Sequence, residues 1–388
     1  MTIPEPASTA LATGPAAPAL LPVVAAPYSA LITPKQQRHM DRYSEQALEG
    51  MAASTLRGVR ADWALYLDWC LATHTRPLKE ISAQLTEDEQ ADAEAEALRE
   101  LKAFFVNAIA RGLRRSTLDR YLYTIRLAHK AARVPDPTTL PGWKPIWKGL
   151  VKALAKDGRN RKQPAAPLPQ AAVAAVVSGL EAPATQNEAA RLRELRDMAL
   201  LCLASDTLAR REELARVQVH EIKAPEPGKV LLEIPSSKTD QAGHGLLRHV
   251  SAATLAHIDR WKAAAQIEKG PLFRAVRYEL DKTTKPVTRR LVIGARKLAD
   301  KEVARIFKRR MEQAGLDATH ISGHSTRIGS THDLHKRGFT GVQIAQAAGW
   351  ANEEMVNYYC RELATNESAM ALSRLEAPLP APGDVSDM

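Results

Sequence analysis

Residues 320–361 read HISGHSTRIGSTHDLHKRGFTGVQIAQAAGWANEEMVNYYCR, and the rest of the chain is interpreted around them. Within this stretch, His324 and Arg327 stand three positions apart, a spacing that places two side chains on one face of a helix. Both side chains can therefore approach a single anion. The planar fork of an arginine also fits a phosphate through two parallel hydrogen bonds.

The same stretch ends in a tyrosine pair, Tyr358 and Tyr359, which follows an indole donor at Trp350. A tyrosine hydroxyl has a pKa of about 10 and is a poor nucleophile at neutral pH. It becomes a useful one when cationic groups stabilise its phenolate and align it on an electrophilic phosphorus. This set of side chains therefore suits covalent phosphoryl transfer.

The composition of the chain favours a polyanionic partner. Its 388 residues suffice for two domains with separate cores, and its formal net charge is +10. Charge alone decides little, because generically basic proteins also exist. The three cysteines have neither the spacing of a zinc site nor an even number for a disulfide framework, which fits a reducing cytoplasm: Cys70, Cys202 and Cys360.

The two ends of the chain differ from its middle in composition. Residues 1–30 are rich in alanine and proline and lack the basic start of a signal peptide, so we expect a disordered arm. We expect a disordered tail over residues 377–388. No run of eighteen apolar residues occurs, and no membrane-spanning segment is expected.

Helical periodicity predicts a first domain over residues 31–158. One helix, which Ser54 or Thr55 is expected to cap, has an apolar stripe of Leu56, Val59, Trp63, Leu67 and Cys70. A shorter acidic helix follows over residues 86–112. The next helix is expected to begin at Ser116, with Asp119 completing the cap, and to have a core face of Leu118, Leu122, Ile125 and Ala128.

This last helix has basic residues at its start. Such a helix can enter the major groove of DNA end-on, with phosphates near the positive end of its dipole. For any single arginine, a solvated surface position is an equally good interpretation. The candidates for DNA contact in the first domain are Arg57, Arg60, Arg114, Arg115, Ser116 and Arg120.

The helical pattern then breaks over residues 159–169, which are basic at first and proline-rich afterwards. The composition indicates a linker that can lie along a DNA backbone, with Arg159, Arg161 and Lys162 as the contacting residues. A second domain is predicted over residues 170–376.

Two patterns in the second domain add charged groups to the site. Arg210 precedes Glu213 by three positions, which by itself indicates no more than an ordinary helical ion pair. Residues 229–235 and 246–251 are predicted strands. The turn between them contains glycine and carries Lys238, a residue that at such a position is usually solvated.

Taken in order, these motifs resemble those of the tyrosine recombinases, also called the phage integrase family. The resemblance covers nearly everything between Thr33 and Glu376. It implies a mainly α-helical protein of two domains that form a C-shaped clamp on DNA. One would be a helical, SAM-like core-binding domain, and the other a helical catalytic domain with a small antiparallel β-sheet.

The resemblance also implies a role for each residue of the site. Tyr359 would be the nucleophile, because it lies nine positions after Trp350, as the nucleophile does in the family, and Tyr358 would be its neighbour. The phosphate would be held by Arg210, Arg327, His324 and Trp350. Glu213 would orient this cluster, and Lys238 would protonate the leaving 5′-oxygen.

The activity that this implies is site-specific DNA recombination through a 3′-phosphotyrosine and a Holliday junction, without metal, ATP or another cofactor. The implied partner is double-stranded DNA with inverted-repeat sites, bound by a homotetramer on two sites. The protein is expected in the cytoplasm, associated with the nucleoid.

Two other functions and a zinc site are alternatives to this interpretation. A type IB topoisomerase uses similar chemistry and reseals the same strand, and a DNA-binding relative without catalysis would keep the fold alone. Zinc binding was considered for His320, His324, His332 and His335. It is disfavoured, because Gly323 interrupts the helix and no cysteine or carboxylate stands beside them at ligand spacing.

Overall fold

The structure is a computed structural model that describes residues 19–22, 28–79, 85–160, 164–181, 187–235, 245–281, 283, 285–366 and 368–376. The chain divides into two compact units, Met1–Gln163 and Pro164–Met388. In the described part of the chain, no helix is long and apolar enough to cross a membrane.

The described part of the first unit is helical. Its α-helices are α1 (Pro34–Ala47), α2 (Ala53–Thr73), α3 (Glu87–Ala110), α4 (Arg115–Ala132) and α5 (Trp143–Lys156). The apolar stripe predicted for α2 is confirmed, since Val59, Trp63, Leu67 and Cys70 are buried in one core. The predicted core face of α4 is confirmed as well, with Leu118, Leu122, Ile125 and Ala128 buried.

The predicted starts of two helices are wrong. Helix α2 begins at Ala53, and its N-cap, Ala52, makes no side-chain hydrogen bond. Helix α4 begins at Arg115, so Ser116 lies inside it, and Asp119 pairs with Arg115 at 2.8 Å instead of closing a cap. The acidic helix α3 lies within the predicted span but, with 24 residues, is longer than the 21-residue α2 and not shorter as expected; Thr86 and Glu89 form a capping box at its start.

Part of the N-terminal segment packs against the first core. Leu20 and Leu21 are buried, and the backbone N–H of Leu20 donates to the Ser44 hydroxyl at 3.2 Å. The Nε of Arg60 donates to the carbonyl of Ala19 at 2.9 Å. The expectation of disorder is therefore wrong for residues 19–22, whereas residues 1–18 and the predicted tail, 377–388, lie outside the described residues.

The second unit combines helices with two small antiparallel sheets. Its helices are α6 (Gln170–Glu181), α7 (Glu188–Thr207), α8 (Arg211–Arg216), α9 (Ala252–Ala264), α10 (Asp300–Gln313), α11 (Ser325–Lys336), α12 (Gly341–Ala348), α13 (Glu354–Asn366) and α14 (Ala369–Glu376). Its strands are β1 (Ile222–Glu226), β2 (Lys229–Ile234), β3 (Leu246–Val250), β4 (Arg274–Asp281) and β5 (Thr288–Lys297).

The two predicted strands are confirmed as β2 and β3, which pair antiparallel in the order β1-β2-β3. Strand β1 and the separate β4-β5 hairpin were not predicted. In β4, Val276, Tyr278 and Leu280 alternate with polar residues, so a strand signal is present there. Strand β5 has no such alternation, only a short apolar run over residues 291–293 between basic residues.

Helix α11 carries much of the site and is fixed by close backbone contacts. Any Cβ at Gly329 would lie 2.0 Å from the carbonyl oxygen of Leu168, so the helix needs glycine at this point of contact. The backbone N–H of Leu168 donates to the carbonyl of Ser325 at 2.8 Å. On its other side, the Ser330 hydroxyl donates to the carbonyl of Ser205 in α7 at 2.9 Å.

Candidate active site

Arg210 and Glu213 form a buried ion pair at the start of α8. Arg210 is the N-cap, and its backbone N–H and Nη1 donate to the two Glu213 carboxylate oxygens at 2.7 and 2.9 Å. Burial by itself would raise the pKa of Glu213. The hydrogen bonds from Arg210 and the charges of Arg210 and Arg248 outweigh it and lower this pKa below its usual value. The carboxylate is therefore ionised at neutral pH.

Arg327 lies at the third position of α11 and is only 1% exposed. Its Nη2 donates to the carbonyl of Ala348 at 2.7 Å, and its Nη1 donates to the carbonyl of Leu208. These oxygens belong to the C-terminal ends of α12 and α7, where helices leave carbonyls without an internal partner. Burial, followed by the charges of Arg210 and Arg248, lowers the pKa of Arg327 to about 9, so it remains cationic at neutral pH.

Trp350 lies between Arg327 and the tyrosine pair. The guanidinium carbon of Arg327 is 4.5 Å from the centre of the indole ring, and the centre of the Tyr359 ring is 5.6 Å from it. Among the described residues, the indole N–H has no hydrogen-bond acceptor. Trp350 therefore offers a ring face to the arginine and keeps a donor for another group.

The two tyrosines have different surroundings on α13. The ring of Tyr358 lies under the guanidinium of Arg361, whose carbon is 5.1 Å from the ring centre. Tyr359 instead interacts electrostatically with Arg327 and Arg210. Burial raises the pKa of Tyr359 above its usual value, and these two arginines partly offset this rise. Its hydroxyl is therefore protonated in the free protein.

His324 is the residue directly before α11 and is exposed. Crowding by protein atoms, followed by the charges of Arg327, Arg210 and Arg211, lowers its pKa below the usual value for histidine. Its imidazole is therefore neutral at pH 7. A neutral imidazole can donate a hydrogen bond to a phosphate oxygen without adding a further charge to this cationic site.

The structure thus brings together six of the seven predicted catalytic residues in the second unit: Arg210, Glu213, His324, Arg327, Trp350 and Tyr359. The seventh, Lys238, lies outside the described residues, in the sequence between β2 and β3. Within the described residues, no group of three or more histidine, cysteine, aspartate or glutamate side chains is placed to hold a metal ion.

The candidates for DNA contact in the first unit fall into two groups. Four arginines have partners within the protein: Arg120 with Asp62 at 2.6 Å, Arg115 with Asp119 at 2.8 Å, Arg60 with the carbonyl of Ala19 at 2.9 Å, and Arg159 with the carbonyl of Ile109 at 2.6 Å. Arg57 and Ser116 are exposed, and so is Arg114, which also interacts with another group of the protein. Arg161 and Lys162 lie outside the described residues.

Two residues that the sequence did not single out for the site contact its parts directly. His332, considered before only as a metal ligand, forms a hydrogen bond through Nε2 with the backbone carbonyl of Tyr359 at 2.9 Å and so links α11 to α13. Arg248, in β3, is buried beside Glu213 and Arg210. Arg248 lies in a short strand, and no spacing pattern in the sequence marks it as a residue of the site.

The chain is similar in sequence to a known family and to two curated recombinases. Residues 180–366 match the phage integrase family. Recombinase cre of Escherichia phage P1 is 26% identical over 264 residues, which are 67% of this chain and 75% of that protein. An integrase/recombinase xerD homolog of Selenomonas ruminantium is 26% identical over 317 residues, 80% of this chain and 82% of that protein.

The fold has a counterpart among solved structures. The XerH site-specific recombinase, in a post-cleavage complex with a palindromic difH substrate, aligns with a TM-score of 0.52 and 12% identity. The alignment covers 90% of this chain and 86% of that one. Residues 180–366 belong to the phage integrase family, and the protein is a site-specific tyrosine recombinase.

Proposed function

We propose that Tyr359 is the nucleophile of this recombinase. The observation that supports this most strongly is that Tyr359, next to Trp350, is the tyrosine on which the charges of Arg327 and Arg210 act. Both arginines stabilise a phenolate there, which makes the hydroxyl a better nucleophile when DNA is bound. Attack on a phosphodiester forms the bond from the Tyr359 oxygen to phosphorus and breaks the bond to the 5′-oxygen.

The remaining residues stabilise the charge that develops on the phosphate during this attack. Arg210 and Arg327 hold the non-bridging oxygens, and His324 and Trp350 donate hydrogen bonds to them. Arg327 keeps its Nε–H and one N–H on each Nη for this purpose, because each Nη donates one hydrogen to a carbonyl. Glu213 fixes Arg210, and Lys238 gives a proton to the leaving 5′-oxygen.

The free enzyme requires a rearrangement before this contact can form. Arg327 is 1% exposed, and the indole of Trp350 covers its guanidinium. A phosphate reaches Arg327 only after residues that cover it, Trp350 among them, have shifted. DNA binding therefore completes the site, which protects the tyrosine from reaction without a substrate.

The product of the cleavage step keeps the energy of the broken bond in the phosphotyrosine link. The free 5′-hydroxyl of a partner duplex attacks this link, which exchanges strands through a Holliday junction without ATP. The substrate class is double-stranded DNA with inverted-repeat sites, and the active assembly is a homotetramer on two sites. Both units take part in DNA binding, as the core-binding and catalytic domains, with a basic linker between them.

A short helix at the end of the second unit supports the assembly proposal. Helix α14 exposes Met370 and Leu372, which are 67% and 47% accessible. Exposed apolar side chains on a terminal helix suit docking on a neighbouring protomer. Helix α14 also contacts α13, which carries Tyr359, so docking of α14 links assembly to the position of the nucleophile.

The nucleophile is tested with a DNA site selected by repeated binding from a random pool and then nicked beside the scissile phosphate. The wild-type protein forms a covalent adduct on this suicide substrate. Tyr359→Phe keeps the ring and its packing, so it binds the DNA and forms no adduct. Tyr358→Phe is the matched control and retains the adduct. The assignment is reversed if Tyr359→Phe still becomes linked to DNA while Tyr358→Phe does not.

The same assay separates the alternative functions. A protein without catalysis forms no adduct even as the wild type. A topoisomerase-like enzyme relaxes supercoiled plasmids that lack the selected site, whereas a site-specific recombinase exchanges strands between two copies of the site.

A further inference from the structure

Arg248 is a buried arginine in β3 to which the proposed chemistry gives no role. Its side chain is only 3% exposed. Its Nη1 donates to the carbonyl of Thr207 at 3.0 Å and also to the carbonyl of Ala347. Its Nε and Nη2 are buried without a hydrogen-bond partner among the described residues. A buried arginine that is only partly satisfied destabilises a fold, so its presence needs a reason beyond packing.

The partners of Arg248 directly precede those of Arg327 in the sequence. Arg248 binds the carbonyls of Thr207 and Ala347, and Arg327 binds those of Leu208 and Ala348. The two arginines thus bridge the same two helix ends, that of α7 and that of α12, one residue apart. Helix C-termini carry partial negative charge, which explains how two buried guanidinium groups are accommodated near each other.

The guanidinium of Arg248 also lies close to the backbone of Gly349, the residue before Trp350. A Cβ on Gly349 would be 2.6 Å from Nη2 of Arg248, so the guanidinium occupies the space of a side chain at that position. Gly349 has a φ of 60°, which lets the chain leave α12 over this group. The location of the guanidinium therefore constrains the backbone that presents Trp350.

Arg248 interacts electrostatically with the Arg210–Glu213 ion pair of the candidate site. Glu213 and Arg210 both act on Arg248, and burial lowers the pKa of Arg248 to about 10, so it is cationic at neutral pH. Glu213 is thus a counter-charge for Arg248 as well as for Arg210. Strand β3 also pairs antiparallel with β2, and Lys238 lies between these two strands in the sequence.

We infer that Arg248 is a positioning residue that sets the mutual placement of Arg327, Trp350 and the β2-β3 hairpin in the active site. This inference rests on the proposed function. Arg248 does not touch the substrate. It fixes the helix ends that hold Arg327 and the turn before Trp350, and it joins them to the strand that leads to Lys238. Displacement of such groups by about 1 Å lowers a rate by about 100-fold.

The test is single-turnover cleavage of the nicked suicide substrate by Arg248→Met, which keeps much of the volume but donates no hydrogen bond. We expect DNA binding to stay within about twofold of the wild type and cleavage to slow about 100-fold. His249→Gln, in the same strand but exposed, is the matched control and cleaves at the wild-type rate. Arg248→Met that cleaves within about threefold of the wild type overturns the inference.

A double-mutant cycle separates positioning from a general loss of stability. If Arg248 acts through Arg327, Arg248→Met slows cleavage far less in an Arg327→Lys background than in the wild type. Multiplicative effects of the two substitutions overturn the inference. Thermal denaturation of each variant gives the folded fraction by which rates are corrected.

Arg248→Lys decides the question if Arg248→Met does not fold. A compact ammonium cannot hold both carbonyls and fill the space under Gly349, so cleavage falls at least about tenfold. A wild-type rate for Arg248→Lys overturns the inference. Absence of an adduct with the wild-type protein overturns the proposed function and this inference together, whereas a normal wild-type adduct with unaffected Arg248 variants removes this inference alone.

Discussion

The guanidinium of Arg327 lies against the indole face of Trp350, with 4.5 Å between the guanidinium carbon and the ring centre. A cation over an indole face is attracted by the negative charge of the ring, more strongly where water is excluded. Tyr359 packs on the same indole, at 5.6 Å between ring centres. Trp350 therefore contacts both Arg327, the proposed phosphate ligand, and Tyr359, the proposed nucleophile, and can act through its ring or through its N–H.

Substitution of Trp350 distinguishes these two contributions. Trp350→Phe keeps an aromatic face over Arg327 but removes the N–H, whereas Trp350→His keeps a ring donor. If the donor matters, Trp350→Phe slows adduct formation about 100-fold, as expected for loss of one donor to a developing negative charge. Trp350→His then retains more activity than Trp350→Phe. The reverse order, measured as single-turnover rates, would show that the ring face is the important part.

Glu213 is expected to stabilise the second unit in a pH-dependent way. Glu213→Gln leaves the buried guanidinium of Arg248 and that of Arg210 without their counter-charge, which lowers the free energy of unfolding by about 3 kcal/mol at pH 7. Because the folded pKa of Glu213 is lowered, its stabilisation is complete above the unfolded pKa of about 4.3 and is lost as the pH falls through the folded pKa.

Urea denaturation of both proteins at a series of pH values between neutral and about pH 3 measures this difference. The difference in the free energy of unfolding between the wild type and Glu213→Gln becomes smaller only in the acidic range. Glu212→Gln changes an exposed neighbour in the same helix and shifts stability by less than about 0.5 kcal/mol. A difference in unfolding free energy that is small at pH 7, or that grows as the pH falls, contradicts the predicted stabilising role of Glu213.

Asp197 is expected to hold the second core together without taking part in catalysis. Its fully buried carboxylate pairs with Arg196 at 2.7 Å, Arg310 at 2.8 Å and Arg309 at 3.0 Å, which ties α7 to α10. Asp197→Asn leaves Arg196 and Arg310 buried without a counter-ion and lowers the free energy of unfolding by about 3–5 kcal/mol. The cleavage rate per folded molecule stays within about twofold of the wild type.

The control for this prediction is Asp259→Asn, which removes an exposed pair with Lys262 and changes stability by less than about 0.5 kcal/mol. A loss below about 1 kcal/mol for Asp197→Asn would contradict the structural role. A cleavage rate that falls with unchanged stability would place Asp197 in the catalytic machinery instead.

Arg57 is better suited to a phosphate contact than Arg60 or Arg120, because it is exposed, whereas Arg60 and Arg120 are held by other groups. We expect Arg57→Gln to weaken binding of the selected DNA and to reduce the slope of log Kd against log salt by about 1, which corresponds to one lost phosphate contact. Arg99→Gln, an exposed arginine on the acidic helix α3, leaves the slope unchanged. Equal slopes for both variants and the wild type would remove Arg57 from the interface.

Local patterns in the sequence predicted the helical stripes and the residue types of the site. The stripe in α2 and the core face of α4 follow from helical periodicity, which depends only on near neighbours. The predicted caps at Ser54 and Ser116 are wrong, because the residue at which a helix begins depends on how the preceding residues pack, which local spacing does not show. Strand β5 has no alternating pattern, whereas β4 was missed although Val276, Tyr278 and Leu280 alternate with polar residues.

The sequence alone determined which chemical groups are available, because the spacing of His324, Arg327, Trp350 and Tyr359 is a property of the chain itself. Which of these groups come into contact, and which residues hold them, depends on how the helices pack. The helix ends at Leu208 and Ala348 are 140 positions apart in the chain, and packing of α7, α11 and α12 brings their carbonyls to one arginine. Arg248 acquires its partners in the same way, through contacts between distant residues that no local pattern encodes.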